Sequence, residues 1–523
     1  MGRLPRSRPT LVLLAIALVA GVVAAGAAPP SAEARPGARR PYRPHLQALH
    51  AEPDPVHGGR IVDESGRQVL LRGVNVNAHA EYWAGTDFPT TFPFTAADAD
   101  QLAAIGWNTV RLLVSWSRVE PRPGRYDDRY LDQVEKTVDL LASRGIYAII
   151  DLHQDAWGPT LAAPDDVVCP AGTDPALGWD GAPGWATLDS GGVRCIPANI
   201  RELNPDVLAA FNAFWLDEPG PGGVGIRTRY VRMLGHIADR FARTESVAGY
   251  DVMNEPNAFT PEQQAALADL YAQSLSTIRA AERRRHGSSH LLFFEPGALW
   301  SATGQGPPPD FARDRDVVYS PHLYTGGFNG GPITAAAFQV ALDEAELFGG
   351  APVVTGEWGG GPERAGPGGD GYFRTHQALQ DDFRFGATLW TWRESCGDPH
   401  KARAIRNGEV PTVWGEFEVD CRTNTVVGPR QALIADLTRG YPRSAPGVLT
   451  DTTYDPATRH LTAAGTDAPR HRTLVVFHPS APDPDAITVT GLRHVRVRPG
   501  RGGSAYVTAQ TTGGAWTVDI AGG

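Results

Sequence analysis

The sequence predicts an α/β fold, a (β/α)8 or TIM barrel with a C-terminal β-sandwich domain. Eight short apolar runs, spaced along the chain between Leu70 and Trp392, alternate with amphipathic helical stretches. Such alternation over several hundred residues favours a closed parallel barrel over an open sheet. No Gly-x-Gly-x-x-Gly follows the first run, which argues against a dinucleotide-binding fold. Beyond Tyr441-Pro442, Thr, Val and Pro become frequent and short alternating runs take over, the pattern of a small antiparallel sandwich.

The elements follow in order. Arg3, Arg6 and Arg8 precede an apolar stretch from Leu11 to Val23 and two Ala-x-Ala sites, Ala25-Gly26-Ala27 and Ala32-Glu33-Ala34. An apolar core of about 13 residues is short for a span of about 20. Residues 1–34 therefore read as a cleaved signal peptide, which predicts a secreted, extracellular protein without stable membrane insertion. Residues 35–56, rich in Pro, Arg and Ala, read as a flexible leader. The barrel is expected over 57–440 and the sandwich over 445–523.

The expected barrel strands are Leu70 to Asn75, Thr109 to Val114, Tyr147 to Leu152, Val247 to Met253, Leu291 to Glu295, Val317 to Ser320, Val353 to Gly356 and Thr388 to Trp392. Between them, Leu131, Val134, Val138 and Leu141 recur at helical spacing, and Pro261 to Arg283 is rich in helix formers. Two long insertions, from Trp157 to about Leu216 and from Arg393 to about Gly428, follow the third and eighth strands on the C-terminal face. In the sandwich, strands are expected at His460 to Ala463, Thr473 to Phe477, His494 to Val497 and Ala505 to Ala509.

The chain is acidic, with a formal charge of −10, which argues against nucleic acid or anionic lipid as a partner. Its four cysteines fall two to each insertion. Disulfides suit a secreted protein, and no Cys-x-x-Cys or Cys/His cluster supports zinc. Three pairings are formally possible. Loop-closure entropy of about 3 to 4 kcal/mol per bridge favours the local ones, Cys169 with Cys195 and Cys396 with Cys421.

Two glutamates carry the chemistry. Glu255 ends Gly249-Tyr-Asp-Val-Met-Asn-Glu-Pro256, and Glu357 lies in Pro352-Val-Val-Thr-Gly-Glu-Trp-Gly359. Each follows an apolar strand, on the face where such barrels place their reactive groups. Two carboxyl groups so placed suit cleavage of a glycosidic bond, one attacking the anomeric carbon and one protonating the leaving oxygen. Retention requires the pair about 5 to 5.5 Å apart, whereas inversion needs roughly 6.5 Å or more. Arg111, a cation on an apolar strand, needs a buried partner, and Glu357 is the expected one. That pairing should favour the ionised form of Glu357, and a less polar setting around Glu255 its neutral form.

With these motifs the chain resembles the retaining (β/α)8 glycoside hydrolases of family 5, clan A, over about residues 58–440. The resemblance implies that Glu255 is the acid/base at the end of strand four and Glu357 the nucleophile at the end of strand seven. It further implies that Arg111 orients the nucleophile and that Asn254 contacts the sugar 2-hydroxyl. His322 and Tyr324, in Tyr319-Ser-Pro-His-Leu-Tyr324, match a His-x-Tyr signature, and Trp390 or Trp392 matches a sugar-stacking tryptophan. Asp151-Leu-His-Gln-Asp155 resembles the endoglycoceramidase branch, which implies sugar contacts from His153 and Asp155 and hydrolysis of the glycan-to-ceramide bond. Trp116, Trp157, Trp179, Trp185 and Trp358 are further platform candidates, and His79 a further polar one. The expected partner is a carbohydrate or glycolipid substrate, and no metal or organic cofactor is required. Competing readings are a β-glucosidase or endoglucanase acting on oligosaccharides, and a non-catalytic glycan-binding protein.

Overall fold

The structure is a computed structural model that describes residues 40–522 apart from 193, 198–199, 301–310, 312–313 and 329; the expected signal peptide lies outside the described residues. Eight parallel strands form the barrel: β1 (Arg72–Val76), β2 (Thr109–Ser115), β3 (Tyr147–His153), β4 (Val247–Asp251), β5 (Leu291–Phe294), β6 (Val317–Tyr319), β7 (Val354–Trp358) and β8 (Gly386–Leu389). They pair in the order β6-β5-β4-β3-β2-β1-β8-β7, and a parallel bridge from Tyr319 to Val353 closes the ring. Every residue of these strands is buried, as expected when helices cover one face and the barrel interior the other. All eight expected strands are present, shifted by at most a few residues.

The expected helices are present too, at Asp128–Ala142 and Pro261–Arg285. The second starts in a capping box in which Thr260 and Gln263 satisfy each other's backbone N–H, with Pro261 at the first helical position. An equivalent box, Thr95 with Asp98, opens Ala96–Ile105. That helix stops at Gly106, whose φ of 99° favours glycine. A Cβ there would sit 2.2 Å from the Phe477 ring of the C-terminal region, so Gly106 also sets how closely the barrel and that region approach.

The C-terminal region comprises two antiparallel sheets around Tyr441, Leu461, Val476, Phe477 and Trp516. Four strands form one: Val448–Asp455, His460–Ala468, Gly514–Ile520 and Ile487–Thr490. The other has seven, and three of them come from the start of the chain. Leu49–Glu52, Arg60–Asp63 and Arg67–Val69 continue into Tyr441–Pro446, then Thr473–His478, Ala505–Thr511 and Leu492–Pro499. Ser444 pairs with Val69 and Pro446 with Arg67. This differs from the expected leader over 35–56 and from a barrel domain opening at 57. Strands of three and four residues carry too little periodicity to be read locally, and the partner that ties Arg67–Val69 into the sheet lies more than 370 residues away. Residues from Pro41 onward pack as one unit. Ion pairs from Asp381 to Arg72 and Arg439 knit the barrel floor where Tyr441 begins the sheet, with the Arg72 guanidinium 5.0 Å from the Tyr441 ring centre.

Both disulfides take the local pairing, Cys169–Cys195 and Cys396–Cys421. The insertions they brace meet each other through Arg201 Nη1 to His400 Nε2 at 3.2 Å and Arg403 Nη1 to Asp174 Oδ2 at 3.3 Å. In the second insertion, Glu416 is fully buried and neither carboxylate oxygen has a hydrogen-bond partner among the described residues. Burial pushes this carboxyl well above its ordinary value.

The sign follows from proton counting. The native state keeps a proton on Glu416 that the unfolded chain releases above its unfolded pKa of about 4.3, so this contribution to stability is complete below that pH. It falls by about 1.4 kcal/mol per pH unit until the folded pKa is reached. Glu416→Gln removes the titration. Its melting temperature relative to wild type should therefore rise from pH 4.5 to pH 8 in differential scanning calorimetry, and a pH-independent difference would contradict this.

Candidate active site

Arg111, midway along β2, is 1% exposed and points into the barrel. Its guanidinium lies 2.9 Å from Asp251 and Glu357 and 3.0 Å from Asp151 and Glu295. It also donates to Asn75 Oδ1 at 3.1 Å and to Asn254 Oδ1 at 2.9 Å. Burial alone would lower its pKa, but the four carboxylates hold it well above the ordinary value. The expected Arg111–Glu357 pair is thus part of a larger network.

Glu357, on β7, accepts from Arg111 Nη1 at 2.9 Å through one oxygen and from Tyr324 Oη at 2.8 Å through the other. Burial nevertheless raises its pKa, with His322 and Arg111 opposing the rise and Glu255 adding to it. The pairing does favour ionisation, as expected, but desolvation is the larger effect.

Glu255 follows β4 at a φ of 37°, a left-handed conformation uncommon for a side-chain-bearing residue and found at constrained sites. Its backbone is held on two sides. The Gln154 amide donates to the carbonyls of Asn254 and Glu255 at 2.6 and 3.0 Å, and the Glu255 N–H donates to Glu295 Oε2 at 2.9 Å. Its carboxyl contacts His322 Nδ1 at 2.9 Å and lies 3.8 Å from Arg201 Nη2. The neighbourhood is cationic rather than the less polar one expected, because the first insertion folds Arg201 back over the site. One ligand atom each from Glu255, His322 and Glu357 lie within 4.8 Å of one another.

His322, after β6, has Nδ1 also 3.6 Å from Glu357 Oε2 and Nε2 3.1 Å from Glu295 Oε1. Burial opposes its charge, yet Glu295 and Glu357 hold the imidazolium well above the ordinary histidine value. A Cβ at Gly356 would lie 2.9 Å from His322 Nε2, so the ring rests on bare backbone. Asn254 has its oxygen committed to Arg111 and one amide hydrogen to the Gln154 carbonyl at 2.9 Å, which leaves one N–H.

The His-Gln-Asp segment lines the adjoining wall. His153 bonds Asp151 Oδ2 at 2.7 Å and stacks on Trp390, with ring centres 5.5 Å apart and planes 13° from parallel. Burial would lower its pKa, but Asp151 and Asp180 bring it up to about 10. Asp155 receives Arg201 at 2.8 Å, and the Arg201 guanidinium lies 4.3 Å above Trp179. Asp180, which accepts the Asp155 N–H at 3.1 Å, is pushed up to about 7, chiefly by burial. His153, Asp155 and Asp180 have the geometry of a metal-ligand triad, but an aspartate and an arginine already occupy the first two.

Of the two strand-eight tryptophans, only Trp390 joins this wall. Trp392 donates its indole N–H to Asp98 at 3.1 Å and packs edge-on to Phe417, away from the glutamates. Both residues lie past the end of β8 at Leu389, so the strand alternation that would put i and i+2 on one face no longer governs them. Trp116, Trp157 and Trp358 belong to the main core, and Trp185 packs partly buried against it. His79 bonds Thr137 at 2.9 Å, and burial takes its pKa down to about 4. From Tyr324 an aromatic ledge leads outward. Its ring stacks on Phe328 at 4.4 Å, Phe328 is 62% exposed, and Trp414 lies 5.9 Å further on.

Sequence reasoning did not single out Glu295, Asp251, Asp180 or Arg201. The signal for Glu295 is present: Phe293-Phe294-Glu295-Pro296 repeats the apolar-strand, acid, proline pattern that marks Glu255. Arg201 sits in an aperiodic insertion and has no such signal.

The family model described as Cellulase (glycosyl hydrolase family 5) matches residues 62–395. Endoglycoceramidase I of Rhodococcus hoagii (strain 103S) is 29% identical over 287 residues, 51% of this chain and 52% of that protein, so the match spans about half the length of that relative. A crystal structure of endogalactoceramidase superposes with a TM-score of 0.80 at 33% identity, covering 91% of this chain and all of that one. Endo-glycoceramidase II from Rhodococcus sp., solved as a lactosyl-enzyme intermediate, gives a TM-score of 0.64 at 25% identity, covering 92% of this chain and 100% of that one.

Replacing Arg111 by Met keeps the volume and removes the cation, leaving four carboxylates facing one another. Thermal unfolding should show a loss of about 3 to 5 kcal/mol, the cost of breaking a buried ion pair. Arg111→Lys, which restores one charge without the fork, should fall between Met and wild type. Wild-type stability in Arg111→Met would show that the carboxylates do not need the guanidinium.

Proposed function

The chain belongs to glycosyl hydrolase family 5, and on that footing we propose that it is a retaining β-glycosidase acting on glycolipids, in the manner of an endoglycoceramidase. The observation that carries the reading is the pair Glu255 and Glu357, with an oxygen of each within 4.8 Å. That closeness fits a nucleophile and an acid/base rather than two carboxyls spaced to admit a water.

Glu357 attacks the anomeric carbon, oriented by Arg111 and Tyr324. Glu255 gives its proton to the departing oxygen, then takes one from the water that releases the sugar. Asn254 offers its remaining N–H to the glycone, and Trp390 stacked on His153 provides a flat wall beside it. Tyr324 and Phe328 begin an apolar path for the aglycone. Two comparisons support the glycolipid reading: the relatives named as endoglycoceramidase and the endogalactoceramidase structure. The lactosyl-enzyme intermediate of endo-glycoceramidase II from Rhodococcus sp. supports a covalent mechanism by similarity. The proposed division of labour is a barrel, from Arg72 to about residue 440, that does the chemistry, and a sandwich, built from the C-terminal strands and the three short strands before Leu70, that supports it.

Glu357→Gln and Glu255→Gln should each reduce hydrolysis of a ganglioside by about 10³-fold or more. Chromatography of released glycan from a ganglioside and from cello-oligosaccharides separates the substrate classes. Release from cello-oligosaccharides alone would reject the glycolipid reading, and near-wild-type rates in both variants would reject the mechanism.

We also propose an extracellular location. It is supported by the basic and apolar N-terminus and by the two disulfides; among the described residues no helix is long and apolar enough to cross a membrane. Mass spectrometry of protein recovered from culture medium should find a mature chain beginning shortly after Ala27 or Ala34. An intact Met1 in that fraction would contradict it.

A further inference from the structure

The end of β5 brings a third glutamate into contact with Glu255 and with Arg111 and His322, which also flank Glu357. Glu295 is buried, and its main chain is clamped by Tyr271: the Glu295 N–H donates to Tyr271 Oη at 3.1 Å and that hydroxyl donates to the Glu295 carbonyl at 2.9 Å. One carboxylate oxygen accepts the Glu255 N–H at 2.9 Å. The other lies 3.0 Å from Arg111 Nη2 and 3.1 Å from His322 Nε2. The opposite nitrogen of that histidine contacts the Glu255 carboxyl at 2.9 Å.

Glu295 therefore reaches Glu255 by two routes. Through the main chain it anchors a residue held at a φ of 37°, a conformation that needs surrounding support. Through His322 it holds, at Nε2, the ring whose Nδ1 faces the Glu255 carboxyl. The charged groups around that ring are Glu255 after β4, Glu295 after β5 and Glu357 on β7, with Arg111 on β2 beyond them. Asp251 on β4 and Asp151 on β3 share Arg111 with Glu295. Of these, only Glu295 touches the histidine on its Nε2 side.

We propose that Glu295 is a positioning residue for the acid/base step: it fixes the backbone of Glu255 and, through its contact with His322 Nε2, the placement of the Glu255 carboxyl that faces the other nitrogen of the ring. The proton delivered to the leaving oxygen is that of Glu255, and His322 keeps its own throughout. The proposal rests on the assignment of Glu255 as acid/base.

The test compares two β-glycosides of the same sugar, one with a dinitrophenyl group that departs without a proton and one with an alkyl group that requires one. Glu295→Gln keeps an acceptor for the Glu255 N–H and removes the ionisable carboxyl beside His322. It should lower kcat/KM for the alkyl glycoside by about 100-fold and for the dinitrophenyl glycoside by less than about tenfold. The basic limb of its pH profile should move to lower pH, because an imidazolium without its carboxylate releases its proton earlier. Glu295→Asp, which restores the charge at shorter reach, should move the limb part of the way back. Equal losses on both glycosides with an unmoved limb would overturn the proposal and leave Glu295 a structural residue. Wild-type protein inactive on both glycosides would overturn the underlying glycosidase reading itself.

Discussion

The structure depends most on one buried cation. Arg111 stands inside the barrel with four carboxylates within 3.0 Å, contributed by the ends of β3, β4, β5 and β7. Bringing so many acids together in a desolvated space is costly unless a cation is shared among them, and a planar guanidinium with five donors can be shared. The geometry of the reactive pair inherits this arrangement. Glu357 is held directly by Arg111, and Glu255 through Glu295 and Asn254. Even so, one guanidinium does not cancel four acids. The acids hold the two flanking imidazoles, His153 and His322, above the ordinary histidine value, and burial raises Glu295 while His322 opposes that rise.

Much of this was legible in the residues, for definable reasons. Barrel strands are continuous apolar runs, and each acid breaks its run at the end that opens onto the reactive face. Glu255, Glu357 and Arg111 stand out as polar residues in apolar surroundings. The disulfides were legible because each cysteine has one near neighbour. The choice between Trp390 and Trp392 was not legible, because β8 stops at Leu389 and the chain beyond it leaves the strand alternation, with Trp392 drawn away by Asp98 and Phe417, which are distant in sequence. Arg201 and Asp180 were hidden because the insertion has no periodicity. Its position over the site comes from contacts with another insertion some 200 residues away, such as Arg201 with His400.

The two bridged insertions give the reactive face its chemical character. One brings Arg201 and Asp180 beside the His-Gln-Asp segment, and the other brings Trp414 beside the aromatic ledge. A polar, charged wall on one side of the glutamates and an exposed apolar ledge on the other match a substrate that changes polarity at the bond to be cut. The barrel supplies the reactive groups, and the loops supply the asymmetry.

The hairpin at the start of the chain has a further consequence. Its last strand, Arg67–Val69, pairs with Arg60–Asp63 and with Tyr441–Pro446, so the seven-stranded sheet is built from both ends of the described chain. On a ribosome, which releases the N-terminus first, the complete barrel would emerge while this strand still lacked its neighbour. The hairpin must wait, edge exposed, through the synthesis of more than 370 residues. Contacts of such separation are slow to form and are favoured only after the intervening chain has ordered. The barrel would then serve as the template on which the sheet closes, and sheet closure would be the late step that ties the two ends of the chain together.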